Sequence, residues 1–391
     1  MQQTRQQPAP LWRITRWLVD PGIEVPTAIR TSLVNGLYGT LPIFAGGVLN
    51  TISVAAVIAS RLQYGLFLLW LTLEVTLCLV RLAVLLQAQR RNFIGIERLT
   101  DLYVGLGVLW AGSVGFGTFI SVASGDWMAA ALACLSAAAM CGGICFRNFS
   151  APRLVGVMIA LSLGPCMVAG VLSGEPVFLL TLFQIPFYLY AMTAAAFRLN
   201  RMLVSTMQAE QENDHLARHD LLTGLLNRIG LERQLEECET LANTPLTLFY
   251  LDLDGFKAVN DRMGHAAGDS LLAMVGERLQ AITRGGLIAA RIGGDEFVMA
   301  GSGNDRETAL EVGAGIIDAI AAQPYLIGHH AIEVGVSAGI AFSPDHGKGL
   351  ADLLSAADNA LYQAKSRGRC SLAVAATIGQ PPPLRLAALS S

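Results

Sequence analysis

Histidine and lysine are scarce in this chain, and both are missing from its first half. Six histidines and three lysines occur in 391 residues, all of them after residue 200. A first half without histidine argues against haem or His-ligated copper as its cofactor. The seven cysteines (Cys78, Cys134, Cys141, Cys145, Cys166, Cys238 and Cys370) form no Cys-x-x-Cys pair, which argues against a disulfide framework or a zinc site. Cys141 and Cys145 share a helix face but have no histidine near them. Charge is thin before residue 200, with 12 Lys and Arg and 7 Asp and Glu, against 15 and 23 afterwards. No short apolar core followed by a small-residue cleavage site stands at the N-terminus, so the opening is not a secretory signal.

What the first half does have is apolar length. The hydrophobic fraction is 53% and the mean hydropathy +0.49. Six stretches reach the ~20 residues that a bilayer crossing takes, about 38–59, 64–87, 103–123, 127–146, 153–173 and 176–197. Arg90, Arg91 and Arg98 fall in one loop, Arg147 and Arg153 flank another, and Arg198 and Arg201 follow the last stretch. The alternate connections carry only Arg61, Asp126 and Glu175. Positive residues mark the cytoplasmic side, so both the N-terminus and everything after residue 198 are expected in the cytoplasm of a cell bounded by an inner membrane.

Residues 1–37 are read as a cytoplasmic N-terminal segment. Its arginines (Arg5, Arg13, Arg16, Arg30) and Trp12 and Trp17 suit the membrane surface; a disordered lead-in is the other reading. Residues 38–197 are the expected six-helix membrane domain. Within it Glu74 and Arg81 stand two turns apart on one face. Ionisable groups in lipid face a bundle interior or a cavity, so the two are either a sensing site or a mutually satisfied structural pair.

Residues 198–219 read as a polar connecting helix. Leu199, Met202, Thr206, Ala209, Asn213 and Leu216 repeat at steps of three and four, a weak coiled-coil seam. Residues 220–372 read as a globular α/β domain: strands over Thr247–Leu251 and Ala331–Phe342, and helices over Ala267–Ile282, Thr308–Ala322 and Leu350–Arg367. That order predicts an antiparallel sheet carrying helices. Residues 373–391, with three consecutive prolines, read as a disordered tail.

Chemistry concentrates in this domain. Two short apolar runs, Leu287–Ala290 and Phe297–Ala300, flank Arg291-Ile292-Gly293-Gly294-Asp295-Glu296. Gly-Gly between apolar runs predicts a tight β-hairpin with positive φ at its turn, and it puts two carboxylates at the tip. Asp252 ends the strand Leu248-Phe249-Tyr250-Leu251, and Asp254, Lys257, Asn260 and Asp261 follow closely. Strand-end and hairpin carboxylates together suit hard divalent cations such as Mg²⁺ or Mn²⁺. Two such ions serve in-line phosphoryl displacement, and Lys257 one turn on can offset phosphate charge.

These motifs resemble the GGDEF domains, the diguanylate cyclases, which condense two GTP into cyclic di-GMP with release of two pyrophosphates. Five stretches match in order. They are Asp220-x-x-Thr223-Gly224-Leu225-x-Asn227-Arg228, Asp252-x-Asp254-x-Phe256-Lys257-x-x-Asn260-Asp261, Gly264-His265-x-x-Gly268-Asp269-x-x-Leu272, Arg291-x-Gly293-Gly294-Asp295-Glu296-Phe297, and Ala357-Asp358-x-Ala360-Leu361-Tyr362-x-Ala364-Lys365-x-x-Gly368-Arg369. The resemblance covers about residues 215–372 and implies a fold like that of the polymerase palm and nucleotidyl cyclases, beside an all-α membrane bundle. It implies Asp252, the Leu253 carbonyl, Asp295 and Glu296 as ligands of two Mg²⁺ or Mn²⁺ ions, and Asp295 as the acidic group that helps deprotonate a ribose 3′-OH. Lys257 is the implied transition-state stabiliser. Asn260 and Asp269 are the implied guanine readers, and an Asp facing the N1–H and N2–H edge selects GTP over ATP. Lys365 and Arg369 are implied phosphate contacts. His265 is either a substrate contact or a packing residue at a helix start.

The resemblance also implies a homodimer, formed through this domain and the connecting helix, because each domain brings one GTP. Nucleic acid is not an expected partner. The second reading is a receptor that binds GTP or cyclic di-GMP without turnover; the third, a transporter regulated by its soluble domain, fits poorly with so few polar residues in the spans. Two departures stand out. The product-inhibition site of many relatives is Arg-x-x-Asp before the hairpin; here Arg284 is followed at the fourth position by Leu287, so inhibition there is expected to be weak or absent. Cys370 replaces a frequent Asn.

Overall fold

The computed structural model describes residues 10–39, 41–90, 97–237, 245–283, 286–303 and 305–376, and it divides into two compact units, 1–210 and 211–391. The unit 1–210 is helical. Two short helices, α1 (Arg13–Val19) and α2 (Thr27–Gly36), come before α3 (Leu41–Leu62), α4 (Gly65–Arg90), α5 (Glu97–Ala123), α6 (Trp127–Asn148) and α7 (Pro152–Leu172). A 3₁₀ turn over Pro176–Leu180 then leads into α8 (Thr181–Arg218). Among the described residues six helices, α3 to α8, are long and apolar enough to cross a membrane. Their apolar residues lie on nearly all sides, as lipid allows, and α5 is the most enclosed of them.

From Pro10 to Gly39 the segment before α3 holds two helices, which departs from a disordered lead-in. Asp101 of α5 accepts hydrogen bonds from Leu11 N (2.9 Å), Trp12 N (3.3 Å) and the Thr15 hydroxyl. These tie Leu11 and Trp12, just ahead of α1, and Thr15 within it to α5. Leu18 and Val19 then pack into the bundle, while Trp12, Ile14 and Trp17 stay exposed. Arg5 lies outside the described residues.

The unit 211–391 is a five-stranded sheet between two helical layers. Its strands are β1 (Leu246–Asp254), β2 (Ile288–Gly293), β3 (Glu296–Ser302), β6 (Gly335–Ser343) and β7 (Leu372–Val374), in the order β2-β3-β1-β6-β7. All pairings are antiparallel except β6 with β7. Strand period two sorts the side chains. Phe249, Leu251 and Leu253 of β1 face a core shared with α11 (His265–Ile282) and α12 (Arg306–Ala321). Leu246, Leu248 and Tyr250 face a second core under α9 (Arg228–Glu237) and α13 (Leu350–Arg367). The helices cover both faces of the sheet. Helix α10 (Phe256–Met263) follows β1 through Gly255.

Two expectations are corrected. The strand over Ala331–Phe342 is two strands, because His330–Ile332 (β5) folds back on Tyr325–Ile327 (β4) as a separate hairpin before β6 begins. Residues 373 and 374 belong to the sheet and not to the tail: the strand Leu372–Val374 pairs with β6, and Leu372 and Val374 place their apolar side chains against the core. Residues 377–391 lie outside the described residues.

Candidate active site

The acidic centre is built by strand register. Asp252 lies opposite Glu296 across the β1–β3 ladder, and Leu253 N donates to the Asp295 carbonyl at 3.3 Å. Asp252 continues the even series of β1 and Glu296 that of β3 with Val298 and Ala300, so both stand on the α13 face. There Lys365, in the last turn of α13, closes an ion pair on the Asp252 carboxylate. Asp252, Leu253, Asp295, Glu296 and Lys365 are thus gathered from four elements.

The hairpin turn between β2 and β3 has two residues, Gly294 and Asp295, and Gly294 takes φ +45°. Its carbonyl is gripped by Arg291, through Nε (3.0 Å) and Nη2 (2.7 Å). The same guanidinium donates through Nη1 to both oxygens of Asp220, at 3.0 and 3.1 Å. Asp220 also accepts from Thr223 N and Oγ1, at 2.9 and 2.7 Å. The chain around Leu226 then runs along β2, with Arg291 N donating to the Leu226 carbonyl at 2.8 Å. The opening loop of the domain therefore pins the carboxylate-bearing turn. Sequence reading assigned Asp220 and Arg291 to motifs but gave neither a role. Their spacing of some seventy residues hides a contact that only the sheet creates.

Asp254 has a structural task that was also unread. Its carboxylate accepts from Ser337 Oγ (3.1 and 2.9 Å) and from Cys370 N at 2.8 Å. Cys370 takes φ +55° to present that N–H. This conformation is one that Asn adopts readily, which gives the Asn-to-Cys departure its physical meaning.

Electrostatics follow from these placements. Burial pushes the Asp252 carboxyl up; Lys365 pulls it back, and the neighbouring Asp295 and Asp254 charges push it up again. Burial likewise raises the Tyr250 phenol, helped by Glu296 beside it, to about 12. Burial works against the Asp220 carboxylate as well, but the hydrogen bonds from Thr223 and Arg291 outweigh it and hold it below the usual range.

On α10 and α11, Asn260 is half-buried with its Oδ1 atom enclosed and bonded to no described group. Gly268 lies against that oxygen, and a Cβ at Gly268 would overlap it. The absence of a side chain at Gly268 is what lets the Asn260 amide sit between the two helices. Lys257, His265 and Asp269 are exposed on the same two helices, and Arg369 is exposed beyond α13. Arg284 lies outside the described residues; Leu287 packs on the core and over Gly301.

The donors at the centre are all oxygen, and Lys365 marks a place that attracts positive charge. This chemistry fits a hard divalent cation. Among the described residues no three His, Cys, Asp or Glu side chains converge as a metal cage, so backbone carbonyl, water and phosphate oxygens would complete the shell, as Mg²⁺ commonly requires.

Residues 217–371 match the family model described as diguanylate cyclase, GGDEF domain. The chain is 39% identical over 175 residues to the bifunctional diguanylate cyclase/cyclic di-GMP phosphodiesterase MucR of Pseudomonas aeruginosa, covering 44% of this chain and 25% of MucR. It is 38% identical over 164 residues to the diguanylate cyclase TpbB of the same organism, covering 40% of this chain and 37% of TpbB. The crystal structure of a sensory box/GGDEF family protein from Caulobacter crescentus is similar at 36% identity and a TM-score of 0.35, over 39% of this chain and 99% of that one. The chain spans well under half the length of these two curated relatives. With its five motifs and this match, the chain belongs through residues 217–371 to the GGDEF domain family of diguanylate cyclases.

Proposed function

We propose that this protein is a membrane-bound diguanylate cyclase that joins two GTP into cyclic di-GMP and releases two pyrophosphates. The observation that carries the reading is the register of β1 against β3, which sets Asp252 beside Glu296 and ties Leu253 to Asp295. Asp252, the Leu253 carbonyl, Asp295 and Glu296 would hold Mg²⁺ or Mn²⁺, two per site. Bound there, the cations supply positive charge to the triphosphate and make the ribose 3′-OH more acidic.

The chain's own groups do the rest. Asp295 accepts the proton of the 3′-OH. That oxygen forms a bond to the α-phosphorus of the other GTP, the bond from that phosphorus to the β-phosphate oxygen breaks, and pyrophosphate leaves. Lys257 stands against the charge that builds on the phosphate, and Lys365 and Arg369 hold phosphate oxygens. Asn260 and Asp269 bind the guanine edge, with His265 at the rim of the site. Each domain holds one GTP, so two domains must face each other as a homodimer. Of the expected seam, Met202, Thr206, Ala209, Asn213 and Leu216 are exposed on α8, which supports pairing with a second copy there, while Leu199 is half-buried. Six helices long and apolar enough to cross a membrane support a place in the inner membrane, and the arginine distribution supports a cytoplasmic GGDEF domain that the bundle regulates.

A second reading, a receptor that binds guanine nucleotide without turnover, is favoured by one observation: Lys365 already neutralises Asp252. Full-length protein in detergent, given GTP and Mg²⁺, separates the two. Cyclic di-GMP formation is expected; a folded, dimeric sample that binds GTP and yields no product would establish the receptor.

A further inference from the structure

We propose that Cys134 and Cys166 are a redox pair, from which a lipid-soluble quinone takes two electrons and leaves a disulfide between α6 and α7. Their sulfurs lie 3.6 Å apart, one on each helix, and both are free thiols. A disulfide holds its sulfurs about 2.05 Å apart, so the bond forms once the two close by roughly 1.5 Å. Rotation about each Cα–Cβ bond and give in α7 supply that movement. Pro165 lies inside α7 and has no N–H to donate to the Leu161 carbonyl, so the helix lacks a ladder bond next to Cys166.

Among the described residues this is the one pair of cysteines in sulfur–sulfur contact. Cys141 donates instead to the Ala137 carbonyl at 3.2 Å, and Cys145 to the Met192 carbonyl at 3.8 Å. The surroundings select the oxidant. Val122 and Ala169 are buried with Cys166, and Phe119, Phe178 and Ile185 pack around them. Such a wall keeps out hydrated oxidants such as peroxide or a glutathione disulfide. Cys134, however, is only half-buried, and Leu135 beside it is 69% exposed on a surface that lipid would cover. An oxidant dissolved in the bilayer, apolar and able to accept an electron pair, has access there, and a quinone is both.

The position along the helices suits an oxidising side. α6 begins at Trp127 and α7 ends at Leu172, so each cysteine lies about 10 Å from the same end of the bundle. That end carries Asp126 and Glu175, away from the arginine-rich connections, and on the topology proposed above it is the outer one. Outside the cytoplasm no glutathione pool keeps thiols reduced. The step balances. Cys134, reachable from lipid, adds to the quinone ring; the Cys166 sulfur then attacks the Cys134 sulfur and the quinol departs. Two S–H bonds break, one S–S bond forms, and two electrons and two protons leave with the quinol.

The test counts thiols and is indifferent to turnover, so the pair stands or falls apart from the cyclase reading. Full-length protein is reconstituted in liposomes, reduced, freed of reductant under nitrogen and given decylubiquinone or, as the control, decylubiquinol. After an acid quench, free cysteines are counted in denaturant by the mass shift of a maleimide–polyethylene glycol label. The quinone is expected to remove two of the seven thiols, to yield a peptide that joins Cys134 to Cys166 in the mass spectrum, and to be fully reversed by dithiothreitol. The quinol should remove none. Cys166→Ser should keep all its remaining thiols under quinone, whereas Cys141→Ser should still lose a pair. Retention of every thiol in the wild-type protein, a disulfide joining other cysteines, or the same loss in Cys166→Ser would overturn the proposal.

Discussion

The two units of this chain treat buried acids in opposite ways. In the bundle, Glu74 and Arg81 share a helix face two turns apart and still do not pair; Glu74 takes neutral donors from α5 instead. In the sheet domain, Asp252 and Lys365 are remote in sequence and do pair, because β1 and α13 are neighbours in the fold. Proximity along a helix decides less than which groups the fold aims at each oxygen. A carboxylate met by an indole N–H and a hydroxyl is satisfied by hydrogen bonds. One met by an ammonium and two other carboxylates is held in an electrostatic balance that a ligand can tip.

The largest effect should come from the balance itself. Asp295→Asn removes one charge from the acidic centre and is expected to lower cyclic di-GMP formation by about 10³-fold or more, with the circular dichroism spectrum unchanged; turnover near the wild-type rate would remove Asp295 from the chemistry. Next, Arg291→Met frees the Gly294 carbonyl and leaves Asp220 without its cation. A stability loss of about 2 kcal/mol is expected in denaturant unfolding, together with a clear drop in turnover. Turnover lost without any stability change would mean that Arg291 touches substrate directly.

On the bundle side, Glu74→Leu orphans the Trp110 N–H and should cost about 1–3 kcal/mol, read as a lower melting point of the full chain. Glu74→Gln keeps an acceptor and should cost much less. If both cost the same, the charge of Glu74 matters after all and the contrast between the units fails. The acid limb of the turnover profile gives a subtler reading. Because burial raises Asp252, activity should start to fall, as pH is lowered, above the ordinary aspartate value of about 3.9. Lys365 pulls that carboxyl down, so Lys365→Met should move the limb to higher pH. Smallest of all, Ser337→Ala leaves Asp254 its Cys370 N–H donor and should cost about 1 kcal/mol.

Much of this was legible in the sequence, for physical reasons that differ by region. Apolar length declares a membrane helix, so six stretches could be counted before any coordinates. The hairpin was legible from Gly-Gly between apolar runs, but the turn is Gly294-Asp295 and Glu296 already lies in β3, so only one of the two carboxylates is at the tip. Contacts across the sheet were not. Nothing in the sequence near Arg291 reveals that its guanidinium reaches Asp220, and nothing near Asp254 reveals Cys370. The Glu74–Arg81 pair misled through its spacing, since periodicity reports a shared face but not the partners that α5 supplies. Residues 373 and 374 were lost to the tail because a three-residue parallel strand carries almost no pattern of its own.

That short strand has a practical outcome. β7 closes one flank of the sheet, and Ala375 N adds a further bond to the Ile340 carbonyl at 2.8 Å. A shortened chain stopping before Leu372 would uncover a row of β6 amides and carbonyls, an invitation to strand-to-strand clumping. Reporter fusions and purification handles are therefore best joined after Ala375, where the backbone has already left the ladder.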